Sequence, residues 1–135
     1  MPAAGPVEPV SAWWHWAALF AAGGCGVCLR FVLALKVDRW AEATLPYAGT
    51  LAVNLLGCLA IGVLAPLLPQ GPGRAIAVAG LLGGFTTYSS FALLTVELAG
   101  AARWAPLAWQ LALHVGGGAL MVALGSRIAG RFMAA

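Results

Sequence analysis

An all-α membrane protein with four transmembrane helices is predicted by three observations. Of the 135 residues, 62% are hydrophobic and only 8% are charged. The mean hydropathy is +0.93. The apolar residues fall in four long spans separated by short polar connections. So few charges could not cover the surface of a soluble fold of this length, which excludes a water-soluble domain. Stretches able to cross ~30 Å of hydrocarbon at about 20 residues each run from Trp13 to Leu35, Tyr47 to Leu68, Ala75 to Gly100 and Ala105 to Ser126. They use nearly all of residues 1–135, so a single four-helix transmembrane domain is expected.

The first span is read as a retained helix, because the residues before it hold Glu8 and no Lys or Arg, whereas a secretory signal begins with a basic segment. Lys36 to Pro46 forms the first connection, polar and charged; Pro69 to Arg74 reads as a turn, and Ala101 to Trp104 carries Arg103. Trp13, Trp14, Trp16, Trp40, Tyr47, Trp104 and Trp109 sit near predicted span ends, where amphipathic rings anchor at the headgroup level.

Basic residues of short loops normally gather on the cytoplasmic side. Here Arg74, Arg127 and Arg131 fall on one face and Lys36, Arg39 and Arg103 on the other, with Arg30 inside a span. A chain so balanced can insert both ways up and pair as an antiparallel dimer; it can also hold one topology with a weak bias. Oligomerisation is favoured further by polar groups that four thin helices cannot hide, since intramembrane polar side chains face protein or water. They are Arg30, Asn54, the hydroxyl run of the third span with Glu97, and Gln110 with His114.

At helical spacing Gly23, Gly26 and Arg30 share one face of the first helix, which lets a neighbour approach closely beside the guanidinium. Thr50, Asn54 and Gly57 form a narrow stripe on the second helix, and Gln110, His114 and Gly117-Gly118 do so on the fourth. Each stripe alone reads as helix-packing contact. Three of them beside a hydroxyl run read as a lined route.

The third span contains Gly83-Gly84-Phe85-Thr86-Thr87-Tyr88-Ser89-Ser90-Phe91. Its glycines and β-branched residues lower helix propensity at mid-span, and a break there leaves carbonyls and amides without intrahelical partners. Such backbone is tolerated in a membrane only where protein or a wet cavity satisfies it. Freed carbonyls suit a small hard cation. Tyr88 and Phe91 share a face beyond the break, and the positive edges of their rings can face an anion as well as simply pack.

Three signatures then carry a resemblance. Gly23-Gly24-Cys25-Gly26 leading to Arg30-Phe31, the run from Gly49 to Gly57 with Thr50 and Asn54, and the run from Gly83 to Phe91 occur in that order over nearly the whole chain. In these the sequence resembles the fluoride channel family known as Fluc or CrcB. The resemblance implies an antiparallel dual-topology homodimer in which the third helix is broken at mid-membrane. Two pores would give passive fluoride efflux, and a structural sodium ion would sit at the dimer centre. Sodium would be held by the backbone carbonyls of Gly83 and Thr86. Fluoride would meet Asn54, Tyr88, Phe91, Thr50 and Ser90, with Arg30 near a pore mouth and His114 as a further pore-facing candidate. The partners implied are the fluoride ion, a second copy of the chain and the lipid bilayer, with bacterial inner membranes as the expected location. Tyr88 departs from the family's usual phenylalanine, and Leu94 stands where an acidic residue is often found.

Two other classes are weighed against this one. A proton-coupled small multidrug exporter also has four spans but needs a membrane-embedded acid, and the first two predicted spans hold no Asp or Glu. A non-transporting membrane assembly subunit explains glycine packing but not a broken polar helix. Cys25 and Cys28 lie in an apolar span among glycines, and Cys58 is alone, so no thiol metal site is expected. Walker loops, nucleophile elbows and paired catalytic carboxylates are missing from the sequence, which points to no enzyme. The net charge of +3 is too diffuse for nucleic acid.

Overall fold

The computed structural model of the protein describes residues 12–41 and 47–134. The tail with Glu8, and residues 42–46 of the expected first connection, lie outside the described residues. Helix α1 is Trp13–Ala41 and α2 is Ala48–Leu67. The third span, Pro72–Gly100, is divided into α3 (72–85) and α4, Tyr88–Gly100. Helix α5 is Trp104–Met133. Among the described residues, four helical spans are thus long and apolar enough to cross a membrane, and the chain is a multi-pass membrane protein. Helix α1 runs to Ala41, past the Leu35 end expected from hydropathy, and so carries Lys36, Asp38 and Arg39 on its last turns. A helix of this length outruns the hydrocarbon and ends in polar residues at the interface.

The extension has a structural use. The Gly49 amide in the first turn of α2 donates to Asp38 Oδ1 at 2.8 Å. Tyr47, at the N-cap position with φ 68°, gives that helix no side-chain cap. Asp38 therefore caps α2 from another helix, with its negative charge at the positive end of the helix dipole. At the opposite end, Arg74 Nη1 donates to the Ala65 carbonyl at 2.7 Å, covering a terminal carbonyl of α2. Helix α4 stops in a Schellman turn: the Arg103 amide donates to Leu98 O at 2.9 Å and the Ala102 amide to Ala99 O at 3.0 Å. Ala102 takes the left-handed conformation, φ 54°, that this motif requires.

Helix α1 packs on α2 and α3, and α2 packs on α5. Backbones meet at glycines. A Cβ on Gly84 would overlap the Gly23 carbonyl, and one on Gly26 would overlap the Leu81 carbonyl. The neighbour that approaches the glycine face of α1 is thus α3. Gly62 and Gly125 bring α2 and α5 together in the same way. Close backbone approach is how membrane helices gain packing where no hydrophobic force draws them together. Helix α4 is different, packing on α5 and to a lesser extent on α2.

The tryptophans at the span ends, with Tyr47, are all exposed, as interfacial anchors are.

Candidate functional site

The third span bends at Thr86 and Thr87, whose backbones are extended (ψ 160° and φ −146°, respectively). Gly83 and Gly84 remain helical. The break therefore falls on the β-branched pair, while Gly84 serves close packing. Ahead of it, Ala75–Leu82 is wound as a π-helix, a departure that recurs at functional sites.

Two side chains from other helices stitch the break. The Thr87 amide donates to Asn54 Oδ1 at 2.8 Å, and Asn54 Nδ2 donates to the Thr87 carbonyl at 3.1 Å. Because an amide N–H can only donate, this pairing fixes which end of the carboxamide is oxygen. It uses one Nδ2 hydrogen and leaves the other. Arg30 Nη1 donates to the Thr86 carbonyl at 3.1 Å, so the guanidinium carried by the glycine face of α1 lands on the break itself. Thr87 also caps α4, its hydroxyl oxygen accepting from the Ser90 amide at 3.2 Å.

The diverted Thr87 amide is the donor that would close a helical turn on the Gly83 carbonyl. Gly83 is exposed. The carbonyl end of α3 and the amide end of α4 therefore meet at one point with opposite partial charges, the first suited to a cation and the second to an anion.

Beside the break lies an open cleft of about 390 Å³, with Asn54, Gly83, Thr86, Tyr88, Phe91 and His114 in its wall. Six of the residues predicted from sequence are thus brought together. Tyr88 and Phe91 have ring centroids 5.7 Å apart, and Phe91 lies 4.6 Å from His114. His114 belongs to a second π-wound stretch, Leu113–Gly117, and its Nδ1 is 3.0 Å from the Gln110 carbonyl. Tyr88 is 79% exposed. Thr50 and Ser90 line neither this cleft nor the other large one.

Sequence reasoning passed over three contributors. Thr87 was legible as a threonine preceding an apolar helical run, an N-cap signal. Gln110, read only as one member of a stripe, is buried and braces α5 to α4: its Nε2 donates to the Phe91 carbonyl at 3.1 Å, and its Oε1 lies 3.2 Å from Thr95 Oγ1. Asp38 gave no local signal, since its partner is eleven residues away on another helix. The cysteines are free; Cys58 lines the cleft, whereas Cys25 and Cys28 are exposed on α1.

Residues 17–126 match the sequence model of the family described as CrcB-like protein, Camphor Resistance (CrcB). A protein of Pseudomonas fluorescens named fluoride-specific ion channel FluC is 43% identical over 111 residues, covering 76% of this chain and 86% of the relative. The protein of that name from Azotobacter vinelandii is 46% identical over 107 residues (73% and 82%), and that from Chloroflexus aurantiacus 37% over 105 residues (74% and 82%). With most of its length matched by both the family model and these relatives, and with the third span bent within the matched region, the chain belongs to the CrcB family.

Proposed function

We propose that this protein is a fluoride channel: an antiparallel, dual-topology homodimer in a bacterial inner membrane whose two pores let fluoride leave the cell passively, with a structural sodium ion at the dimer centre. The observation that carries the reading is the broken third span, where the spare N–H of Asn54 and the amide end of α4 accompany two aromatic rings in one cleft. Fluoride is small and strongly hydrated, so its passage needs close donors in place of water. Amide hydrogens and ring edges are such donors. Arg30 adds positive charge beside the break.

Pairing is supported by what one chain leaves open. Tyr88, Ser89, Ser90 and Glu97 are exposed on α4, and polar groups at membrane depth belong against protein or water. Three basic residues on each face permit both orientations. The carbonyls of Gly83 and Thr86 fit a hard cation: the first has lost its helical donor to Asn54, and the second keeps a lone pair beyond the Arg30 bond. When bound, sodium would supply positive charge between the two breaks and tie them together. Thr50 and Ser90 are proposed to belong to the ion's polar track, although they line neither cleft of the single chain.

Efflux from liposomes tests the function. Fluoride release without a proton gradient, in the absence of chloride release, is expected. Gradient-dependent cation uptake would replace this reading by a proton-coupled exporter, and no transport at all by an assembly role. Purification with a larger monovalent cation in place of sodium is expected to weaken the dimer; indifference to the exchange would remove the sodium site.

A further inference from the structure

Gly57 stands on α2 three residues beyond Asn54, on the same face, and is buried. A Cβ there would overlap the γ-methyl group of Thr86 and meet Phe85 Cδ1 at 3.6 Å. The bare α2 backbone at this position is thus a notch that the Thr86 methyl group fills. We infer that Gly57 is a positioning residue for the cation site: by admitting that methyl group it fixes the direction of the Thr86 carbonyl, and through it the affinity for sodium. The inference rests on the sodium reading above and adds to it a residue that touches no ion.

Thr86 has little freedom of its own. Its amide and its hydroxyl both donate to the Leu82 carbonyl, at 2.9 and 3.0 Å. With Oγ1 committed to that acceptor, χ1 is set and the methyl group takes the direction of α2. The carbonyl leaves the same residue at ψ 160° and accepts from Arg30 at 3.1 Å, so hydroxyl, methyl and carbonyl turn as one unit. A methyl group added at position 57 is accommodated by turning χ1, which breaks the hydroxyl bond, or by moving the Thr86 backbone, which aims the carbonyl elsewhere. Withdrawal of α2 is opposed by Asn54, whose two hydrogen bonds hold it to Thr87.

One face of α2 therefore holds both extended residues of the break by different means. Asn54 binds Thr87 by hydrogen bonds, and Gly57 seats Thr86 by shape. A small hard cation is held by the placement of its oxygen ligands, so a carbonyl turned away from the site costs ion affinity before it costs the fold. Gly62, five residues further along α2, makes an equally close approach, but to the Val122 backbone of α5 instead of to the break. It supplies the comparison in which tight helix packing carries no carbonyl of the site.

The test is thermal unfolding in detergent, at fixed protein concentration, as sodium replaces a larger monovalent cation at constant ionic strength. An ion bound by the folded state alone raises the melting temperature with its concentration, so the sodium midpoint reads the site without any transport. Gly57→Ala is expected to raise that midpoint about tenfold, an overpacked methyl group expressed as lost affinity. Gly57→Ala/Thr86→Ser, which moves one methyl group across the contact, is expected to recover most of the loss. Gly62→Ala is expected to lower the melting temperature at every sodium concentration and leave the midpoint in place. An unmoved midpoint in Gly57→Ala, an equal shift in Gly62→Ala, or a shift that the added Thr86→Ser leaves uncorrected overturns the role of Gly57. A wild-type melting temperature indifferent to sodium overturns the sodium reading beneath it instead. Should Gly57→Ala fail to fold, Thr86→Ser alone decides: with the notch empty the carbonyl is freed and the midpoint is expected to rise, and an unmoved midpoint overturns the inference.

Discussion

Replacing Asn54 by leucine separates the two jobs of its carboxamide. The side chain satisfies both the amide and the carbonyl of Thr87, at 2.8 and 3.1 Å, and keeps one further N–H on a residue that lines the cleft. Leucine keeps the bulk and removes all three hydrogen-bonding functions. A stranded backbone group costs about 1–3 kcal/mol when buried. Two such groups, here only partly buried, are therefore expected to lower stability by an amount toward the low end of about 2–6 kcal/mol. Removing a donor from a charged acceptor costs about 1.5–3 kcal/mol, which as a barrier term is a flux loss of about 10- to 150-fold. Thermal unfolding in detergent reads the first effect, and fluoride efflux from liposomes reads the second. Asn54→Asp is the companion variant: an oxygen still accepts from the Thr87 amide, but the spare donor is gone and a negative charge faces the anion, so flux is expected to be lost. Undiminished flux in Asn54→Leu would refute the reasoning, as would full conduction by Asn54→Asp.

Three further outcomes are expected. Arg30→Met strips the charged donor from the Thr86 carbonyl and is expected to destabilise the protein by about 1.5–3 kcal/mol, read as a lowered melting temperature; an unchanged melting curve would mean the contact contributes nothing. Gly84→Ala places a methyl group against the Gly23 carbonyl, and the resulting overpacking of α1 on α3 is expected to cost about 1–3 kcal/mol, whereas Gly73→Ala, with nothing near it, should be close to neutral in the same unfolding assay. Asp38→Ala uncaps α2 at Gly49; a stability loss of about 0.5–2 kcal/mol is expected with fluoride-over-chloride selectivity intact, and altered selectivity would place Asp38 in the ion's path instead.

Four membrane-spanning helices and a bent third span were legible in the sequence, because hydropathy and helix propensity are local sums over neighbouring residues. The glycine face of α1 was legible too, since spacing alone puts Gly23, Gly26 and Arg30 on one side. That the break takes in Thr86 was legible as well; what selects the threonines over the glycines was not. Propensity marks the glycines and the threonines together, yet Gly83 and Gly84 stay helical and the chain extends at Thr86 and Thr87. The choice depends on Asn54 and Arg30, which bond the freed groups of the two threonines from 33 and 56 residues away.

The same division holds for the cleft. Residue type and spacing by themselves determined that Asn54, Tyr88, Phe91 and His114 are polar or aromatic groups at membrane depth, where each needs a protein or aqueous partner. Tertiary packing alone decided that they converge on one wall, that Thr50 and Ser90 stand outside it, and that His114 borders two clefts. It also decided that Asp38 caps a helix other than its own. The physical reason is that a hydrogen bond between helices depends on their approach and rotation. Here these are set by backbone contacts at glycines, which carry no side-chain pattern from which to read the partner.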